Sequence, residues 1–375
     1  MSNYRFCCPC NFGLESVLSG EVKRIEGKDI VVTDGRVEFS GDENMLARAN
    51  LWLRTAERVQ IILGTFKATS FTELFDNVAE LPIEDFVGKK DAFPVKGWSL
   101  NSQLHSVPDC QSIIKKAMVK RLSEVYGVNW FEESGATHQV QFSILRDEVT
   151  IMLDTSGVGL HKRGYRRNSN AAPIKETLAA GILDLARIYP DTQIYDPFCG
   201  SATFLIEAAY KAKNIAPGIY RRFAAEKWKE ISPKVWKEER ERAISMVRKD
   251  IAFNAYGSDI DPECVELSLE NAKKAGIPSS ISVTEADIRD FKLPTERSIV
   301  VCNPPYGERL SNETEVIDMY KTMGKIFVPN DNVSFFIISS LENFEEVFGR
   351  KADKRRKLYN GMVKCQLYSY LRKNK

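Results

Sequence analysis

The chain has 375 residues, enough for two or three domains with cores of their own, and its 28% charged and 43% hydrophobic content is ordinary for a soluble globular protein. No apolar run approaches the ~20 residues of a membrane span, and the N-terminal MSNYRFCCPC has no charged-then-apolar leader pattern, so the expected compartment is the cytoplasm and no membrane partner is expected. With a formal net charge of only +2, a nucleic-acid partner has to be sought in local patches rather than in overall charge.

Residues 4 to 9 read as a strand, and residues 11 to 25 place Leu14, Val17, Leu18, Val22 and Ile25 on one helical face. Short strands at Ile30 to Thr33 and Val37 to Ser40 flank an Asp34-Gly35 turn. A helix with Met45, Leu46, Ala49 and Leu53 follows, then a strand from Arg58 to Leu63. Next come a helix over about 71 to 81, a strand through Ala92 to Trp98, and a helix from near Pro108 that turns Ile113, Ile114, Ala117, Met118, Leu122 and Val125 inward. His138 to Leu145 and Val149 to Leu153 form a hairpin that exits through Thr155 to Gly159. Eight scattered cysteines read as reduced thiols. Cys7, Cys8 and Cys10 hold a C-x-x-C, yet no second Cys or His pair stands at zinc spacing, so the cluster is assigned to a buried strand and no metal is expected.

From about residue 174 helices and strands alternate, the pattern of a parallel doubly wound sheet. Its strands are predicted at Gln193 to Tyr195, Ala255 to Ser258, Ser280 to Thr284, Ile299 to Cys302 and Val333 to Ser339. Lys357 to Tyr359 and Met362 to Tyr370, joined at Asn360-Gly361, close the sheet with an antiparallel hairpin. The charged stretch 221 to 250 reads as a helical insertion with a solvated face.

In such a sheet ligands bind where the strands end, so the residues after each strand carry the functional reading. Asp196-Pro197-Phe198-Cys199-Gly200-Ser201-Ala202-Thr203 is a tight turn of small residues that backbone and ligand can approach closely. It matches neither G-x-G-x-x-G nor G-x-x-x-x-G-K-[ST], which disfavours dinucleotide and triphosphate cradles. Asp259-Ile260 follows the second strand, where a carboxylate can accept from both hydroxyls of a ribose. Asp287-Ile288 follows the third, with an acid suited to an adenine amino group. Taken singly, each acid also reads as a helix cap or a solvated turn. After the fourth strand stands Asn303-Pro304-Pro305-Tyr306. The prolines bring no N–H, so Asn303 and Pro304 oxygens can take both hydrogens of an aromatic amine, with the Tyr306 ring as a stacking surface.

The series DPFCGSAT, GSDIDP, EADI and NPPYGERL resembles the class I S-adenosylmethionine-dependent methyltransferases that act on amino groups of bases. LHKRGYR, APIKETLAAGIL, APGIYRRFAAEKW and SVPDCQSIIKKAMVKRL further resemble the bacterial THUMP-domain RNA methyltransferases, the ribosomal guanine-N2 methyltransferase L group. That resemblance implies a ferredoxin-like segment over 1–43, a THUMP domain over 44–155, and a Rossmann-like seven-stranded methyltransferase domain over 165–375 with an antiparallel terminal hairpin. It implies S-adenosylmethionine at Asp196 through Thr203, with Asp196 and Gly200 at the amino-acid end and Phe198, Cys199, Ser201 and Thr203 of the same turn also cofactor-binding. Asp259 and Ile260 would face the ribose, Asp287 and Ile288 the adenine, and Asn303 to Tyr306 the target base. Lys175, Glu176 and Thr177 match a motif that borders the cofactor. The family usually has Gly where Ala202 stands; if that position needs a positive φ, Ala would cost about 1 kcal/mol or more.

The implied reaction is methylation of the exocyclic N2 of a guanine in RNA, with 23S rRNA as the expected substrate and tRNA as the alternative. Competing readings are adenine as the acceptor, a non-catalytic RNA-binding assembly factor, and an oxidoreductase. The expected RNA contacts are Lys115, Lys116, Lys120 and Arg121 on the long helix, and Lys162, Arg163 and Arg166 in HKRGYRR at the domain junction. A third basic run, Arg350 to Lys357, serves either RNA or the protection of a sheet edge.

Overall fold

The computed structural model describes residues 3–166, 173–294, 298–305 and 313–373. Tyr306 and Arg167 lie outside the described residues. The N-terminal half runs β1 (Tyr4–Pro9), α1 (Glu15–Arg24), β2 (Lys28–Thr33), β3 (Arg36–Gly41), α2 (Glu43–Trp52), β4 (Gln60–Lys67), α3 (Phe71–Ala79), β5 (Val95–Leu100), α4 (Val107–Tyr126), β6 (Val140–Leu145) and β7 (Glu148–Asp154). These strands form one sheet in the order β2-β3-β1-β4-β7-β6-β5. Local chemistry sets the helix starts: Asp42 accepts from Met45 N at 2.9 Å to cap α2, and Ser70 accepts from Glu73 N at 3.2 Å to cap α3. Cys7 and Cys8 are buried in β1, as the strand reading expected. In α4 Ile114, Ala117, Met118 and Leu122 are buried, but Val125, expected to face inward, is 45% exposed on the last turn.

The C-terminal half continues with α5 (Glu176–Leu185), β8 (Gln193–Asp196), α6 (Thr203–Ala212), α7 (Pro233–Ser245), β9 (Ala255–Asp259), α8 (Pro262–Lys274) and β10 (Ile281–Glu285). It ends with β11 (Ser298–Cys302), α9 (Glu313–Phe327), β12 (Val333–Ser339), α10 (Phe344–Phe348), β13 (Lys354–Asn360) and β14 (Val363–Tyr370). The strand order is β10-β9-β8-β11-β12-β14-β13. β8 lies parallel between β9 and β11, while β14 runs antiparallel to both β12 and β13. The chain therefore reverses its winding at β8, and a crevice opens at the carboxyl ends of β8, β9 and β11.

β11 shows why a core strand reads as an unbroken apolar run. Val300 and Cys302 pack with Tyr320, Phe327 and Phe335 on one face, while Ile299 and Val301 pack with Ile182, Leu205 and Ile206 on the other. Each such side chain is worth about 1.5–3 kcal/mol on burial, so the strand that ends in Asn303 is fixed on both sides.

The insertion over 221 to 250 is only half solvated. Trp236, Glu239 and Ala243 of α7 are buried, and Arg48 of α2 holds Glu239 through two bonds of 3.1 and 2.7 Å. Just upstream, buried Trp228 stacks on His138 at 4.4 Å and donates from Nε1 to Thr137 O at 3.1 Å. The insertion thus clamps the two halves of the molecule together. No helix among the described residues is long and apolar enough to cross a membrane.

Candidate active site

The turn after β8 is folded by its own backbone. Gly200 has φ +53° and Ala202 has φ +60°, so the chain twice enters the left-handed region before α6 begins at Thr203. The position held by Ala202 does need a positive φ, and its buried methyl group occupies a conformation that glycine adopts at lower cost. The loop is tied to its neighbours: Cys199 N donates to Ser258 O at 3.0 Å, Ser268 Oγ to Gly200 O at 2.8 Å, and Asn271 Nδ2 to Ser201 O at 3.2 Å.

A cleft opens over this turn. It brings together Asp196, Phe198, Cys199, Gly200, Ser201, Thr203 and Asn303, all singled out from sequence. Pro173, Ile174 and Phe204 complete the wall and were not expected there. Asn303 follows directly on β11, and its Oδ1 is buried without a hydrogen-bond partner among the described residues. Pro304 behind it is buried and Pro305 half-buried. A buried acceptor with no donor costs about 1–3 kcal/mol, which a ligand N–H would recover.

Asp196 carries the second unmet demand. It is 2% exposed, and its one described side-chain bond is Phe198 N donating to Oδ1 at 3.1 Å. Burial pushes its carboxyl well above the usual range, the Phe198 N–H pulls it part-way back, and the Asp259 charge adds to the rise. Among the described residues no cation bonds to Asp196, and a ligand ammonium would supply one. Asp259 is engaged differently: Oδ2 accepts from Gly200 N at 2.9 Å and Oδ1 from Asp261 N at 3.1 Å, so it fastens the turn after β9 to the turn after β8. Ile260 beside it is 66% exposed.

Other expected site residues bond to partners outside the cleft lining. Asp287 caps a short turn, accepting from Arg289 N at 2.8 Å, and pairs with the exposed Arg289 guanidinium, which holds its carboxyl below the usual range. Ile288 packs under the sheet with the aromatic cluster around Phe327. Lys175 and Thr177 bond to Glu57 of the N-terminal half, at 3.4 and 2.6 Å, and His161 Nδ1 stands 3.3 Å from the same carboxylate. Burial alone would raise Glu57, but His161, Thr177 and Lys175 outweigh it and bring the carboxyl down to about 2. Glu176 is buried against Arg166.

The basic residues also divide. Lys116, Lys120 and Lys162 are exposed, whereas Lys115 sits over the Phe93 ring and pairs with Glu133, and Arg121 pairs with Glu84. Arg163 is a correction to the expected RNA surface, because its side chain is 1% exposed and bound to Glu207, itself 0% exposed. It also donates to Leu160 O at 2.6 Å and to Arg54 O, which makes it a tie across the domain junction. Arg166 likewise turns inward. In the third basic run Arg355 pairs with Glu345, and Arg356 donates to Gly13 O at 2.7 Å.

Comparison with known proteins matches residues 163–369 to the RMKL-like methyltransferase domain, residues 5–60 to the RlmL ferredoxin-like domain and residues 68–154 to the THUMP domain. The Bacillus subtilis protein named "Putative RNA methyltransferase YpsC" is 44% identical over 99% of this chain and 96% of its own length. A Listeria monocytogenes structure called a "predicted N6-adenine-specific DNA methylase" is 45% identical with a TM-score of 0.93, over 99% of this chain and 96% of that one. The structure described as "SMU.472, a putative methyltransferase complexed with SAH" is 38% identical with a TM-score of 0.93, over 100% of both chains.

Proposed function

This chain belongs to the RMKL-like methyltransferase family, and from that premise we propose that it methylates the exocyclic N2 of a guanine in RNA, in 23S rRNA before tRNA, at the expense of S-adenosylmethionine. The observation that carries the reading is the buried Asn303 Oδ1, unpartnered among the described residues, in the same cleft as the buried Asp196 carboxyl. One demand suits an amine donor, the other an ammonium, and a nucleobase and the amino-acid end of the methyl donor bring those two groups.

When bound, S-adenosylmethionine supplies an electrophilic methyl group on a sulfonium, which is already a good leaving group. The protein's task is therefore positioning. An aromatic amine is a poor nucleophile while its lone pair is delocalised into the ring. Asn303 Oδ1 and the Pro304 carbonyl can accept both N–H hydrogens, favouring a pyramidal nitrogen whose lone pair is free to attack the methyl carbon as its bond to sulfur breaks, and the nitrogen then sheds its surplus proton to solvent. Asp196 would hold the ammonium, the turn Phe198 to Ser201 the amino-acid end, and Asp259 the ribose. The exposed Lys116, Lys120 and Lys162 would steer the RNA backbone.

Mass-spectrometric mapping of methylated nucleosides in RNA from cells lacking the protein tests this reading. Loss of one N2-methylguanosine from 23S rRNA is the expected result. Loss from tRNA alone would move the substrate, and loss of an N6-methyladenosine, or of nothing, would overturn the guanine assignment.

A further inference from the structure

Arg166, expected at the RNA surface, lies behind the wall of the cleft, bonded to two of the residues that line it. Its Nη1 donates to Ile174 O at 3.1 Å and to Thr203 Oγ1 at 3.2 Å, and its Nη2 donates to Glu176 Oε2 at 2.9 Å. The side chains of Arg166 and Glu176 are 12% and 3% exposed, so this cluster is built into the fold. Ile174 and Thr203 are both cleft residues.

The chemistry of these groups fixes the first step of the network. A guanidinium has donors only and keeps its charge, so at the Arg166 to Thr203 contact the hydroxyl oxygen must accept. Thr203 still has its own hydrogen to place, and Ser201 Oγ lies 3.2 Å away. With Thr203 donating, Ser201 Oγ becomes the acceptor, and the Ser201 hydrogen is left over for the cleft that both residues line. The group it suits is an anion. The first turn of α6 starts at the same place, and its backbone N–H groups favour an anion too.

We propose that Arg166 is a positioning residue which, through Thr203, commits the Ser201 hydroxyl to donate to the carboxylate of the cofactor's amino-acid end; this rests on the cofactor reading above. Asp196 then takes the ammonium and Ser201 the carboxylate, so the two charges of the amino-acid end are held by different parts of one turn. Glu176 pairs with the guanidinium and keeps it as a fixed donor behind the wall.

Calorimetric titration with two ligands tests the assignment. S-adenosylhomocysteine carries the amino-acid end, whereas 5′-methylthioadenosine shares its adenosine and thioether sulfur and lacks that end. Arg166→Met and Thr203→Val should each weaken S-adenosylhomocysteine roughly 10-fold or more, the scale of one hydrogen bond to a charged group. The same variants should leave 5′-methylthioadenosine unchanged, Arg166→Lys should recover part of the loss, and the double variant should bind no worse than either single one. Equal weakening of both ligands would reduce Arg166 to a structural prop and overturn the proposal. Unchanged S-adenosylhomocysteine affinity with a loss of RNA affinity would return Arg166 to the RNA surface. A wild-type protein that binds neither ligand would remove the methyltransferase reading itself, and this inference with it.

Discussion

Lys162 and Arg163 are neighbours in one basic run, yet they should fail in opposite ways. The Arg163 guanidinium and the Glu207 carboxylate are 1% and 0% exposed, and Tyr165 Oη also donates to Glu207 at 3.2 Å. Arg163→Met leaves the Glu207 charge buried with that phenol as its remaining described partner, a loss of about 3–5 kcal/mol. With 375 residues at about 2.1 cal/mol/K each, the unfolding entropy is roughly 0.8 kcal/mol/K, so Tm should fall by about 4–6 °C. Replacing the pair together, as Arg163→Met with Glu207→Leu, should recover most of that, because two apolar groups leave no stranded charge. Lys162→Ala should melt with the wild type and flatten the salt dependence of RNA binding by about one phosphate contact. Thermal melts and filter binding across a salt series measure both effects. An Arg163→Met protein that melts normally but loses RNA affinity would refute the buried-tie reasoning.

The Glu57 carboxyl is held at about 2, against an ordinary value of 4.5, so it adds stability above pH 4.5 that is lost as pH falls toward 2. That difference is worth about 3 kcal/mol, and urea unfolding of Glu57→Gln should lose the acid dependence in this window; parallel curves for variant and wild type would sink the assignment. Asp196 works in the opposite sense. A carboxyl raised in the fold costs stability as pH climbs above its unfolded value, so Asp196→Asn should raise the Tm of the ligand-free protein at pH 8 while weakening S-adenosylhomocysteine binding. For wild type, that binding should strengthen with rising pH and release a proton, which calorimetry in buffers of different ionisation enthalpy detects. Reversing Lys116 and Lys120 to Glu should weaken RNA binding at low salt and leave cofactor affinity alone, and an unchanged salt slope would take the exposed face of α4 out of the interface.

The parts of the site legible in the sequence are those that follow a strand directly. β8, β9 and β11 end in short polar turns, and a strand-then-turn pattern places Asp196, Asp259 and Asn303 at one edge of the sheet without any knowledge of packing. The Ala202 backbone was legible as a condition, because the resembled family usually has Gly there and that substitution raises the question of φ, and the left-handed geometry answers it. The buried junction was not legible. Glu57 meets Lys175 and Thr177 across more than a hundred residues, and Arg163 reaches Glu207 from another element. In sequence such charges look like solvated ones, since burial depends on what packs over them. The same holds for α7, whose charged letters conceal Trp236 and the Arg48–Glu239 pair. Pro173 and Ile174 precede a helix and carry no chemical signature, so their place in the cleft wall follows only from the fold.

The physical core of the account is the acceptor corner after β11, and single-turnover methyl transfer by Asn303→Ala, with S-adenosylhomocysteine affinity measured on the same preparation, tests it most directly. The expected result is a chemical step slower by ~10² or more with cofactor affinity unchanged. A variant that methylates RNA at the wild-type rate would contradict the account.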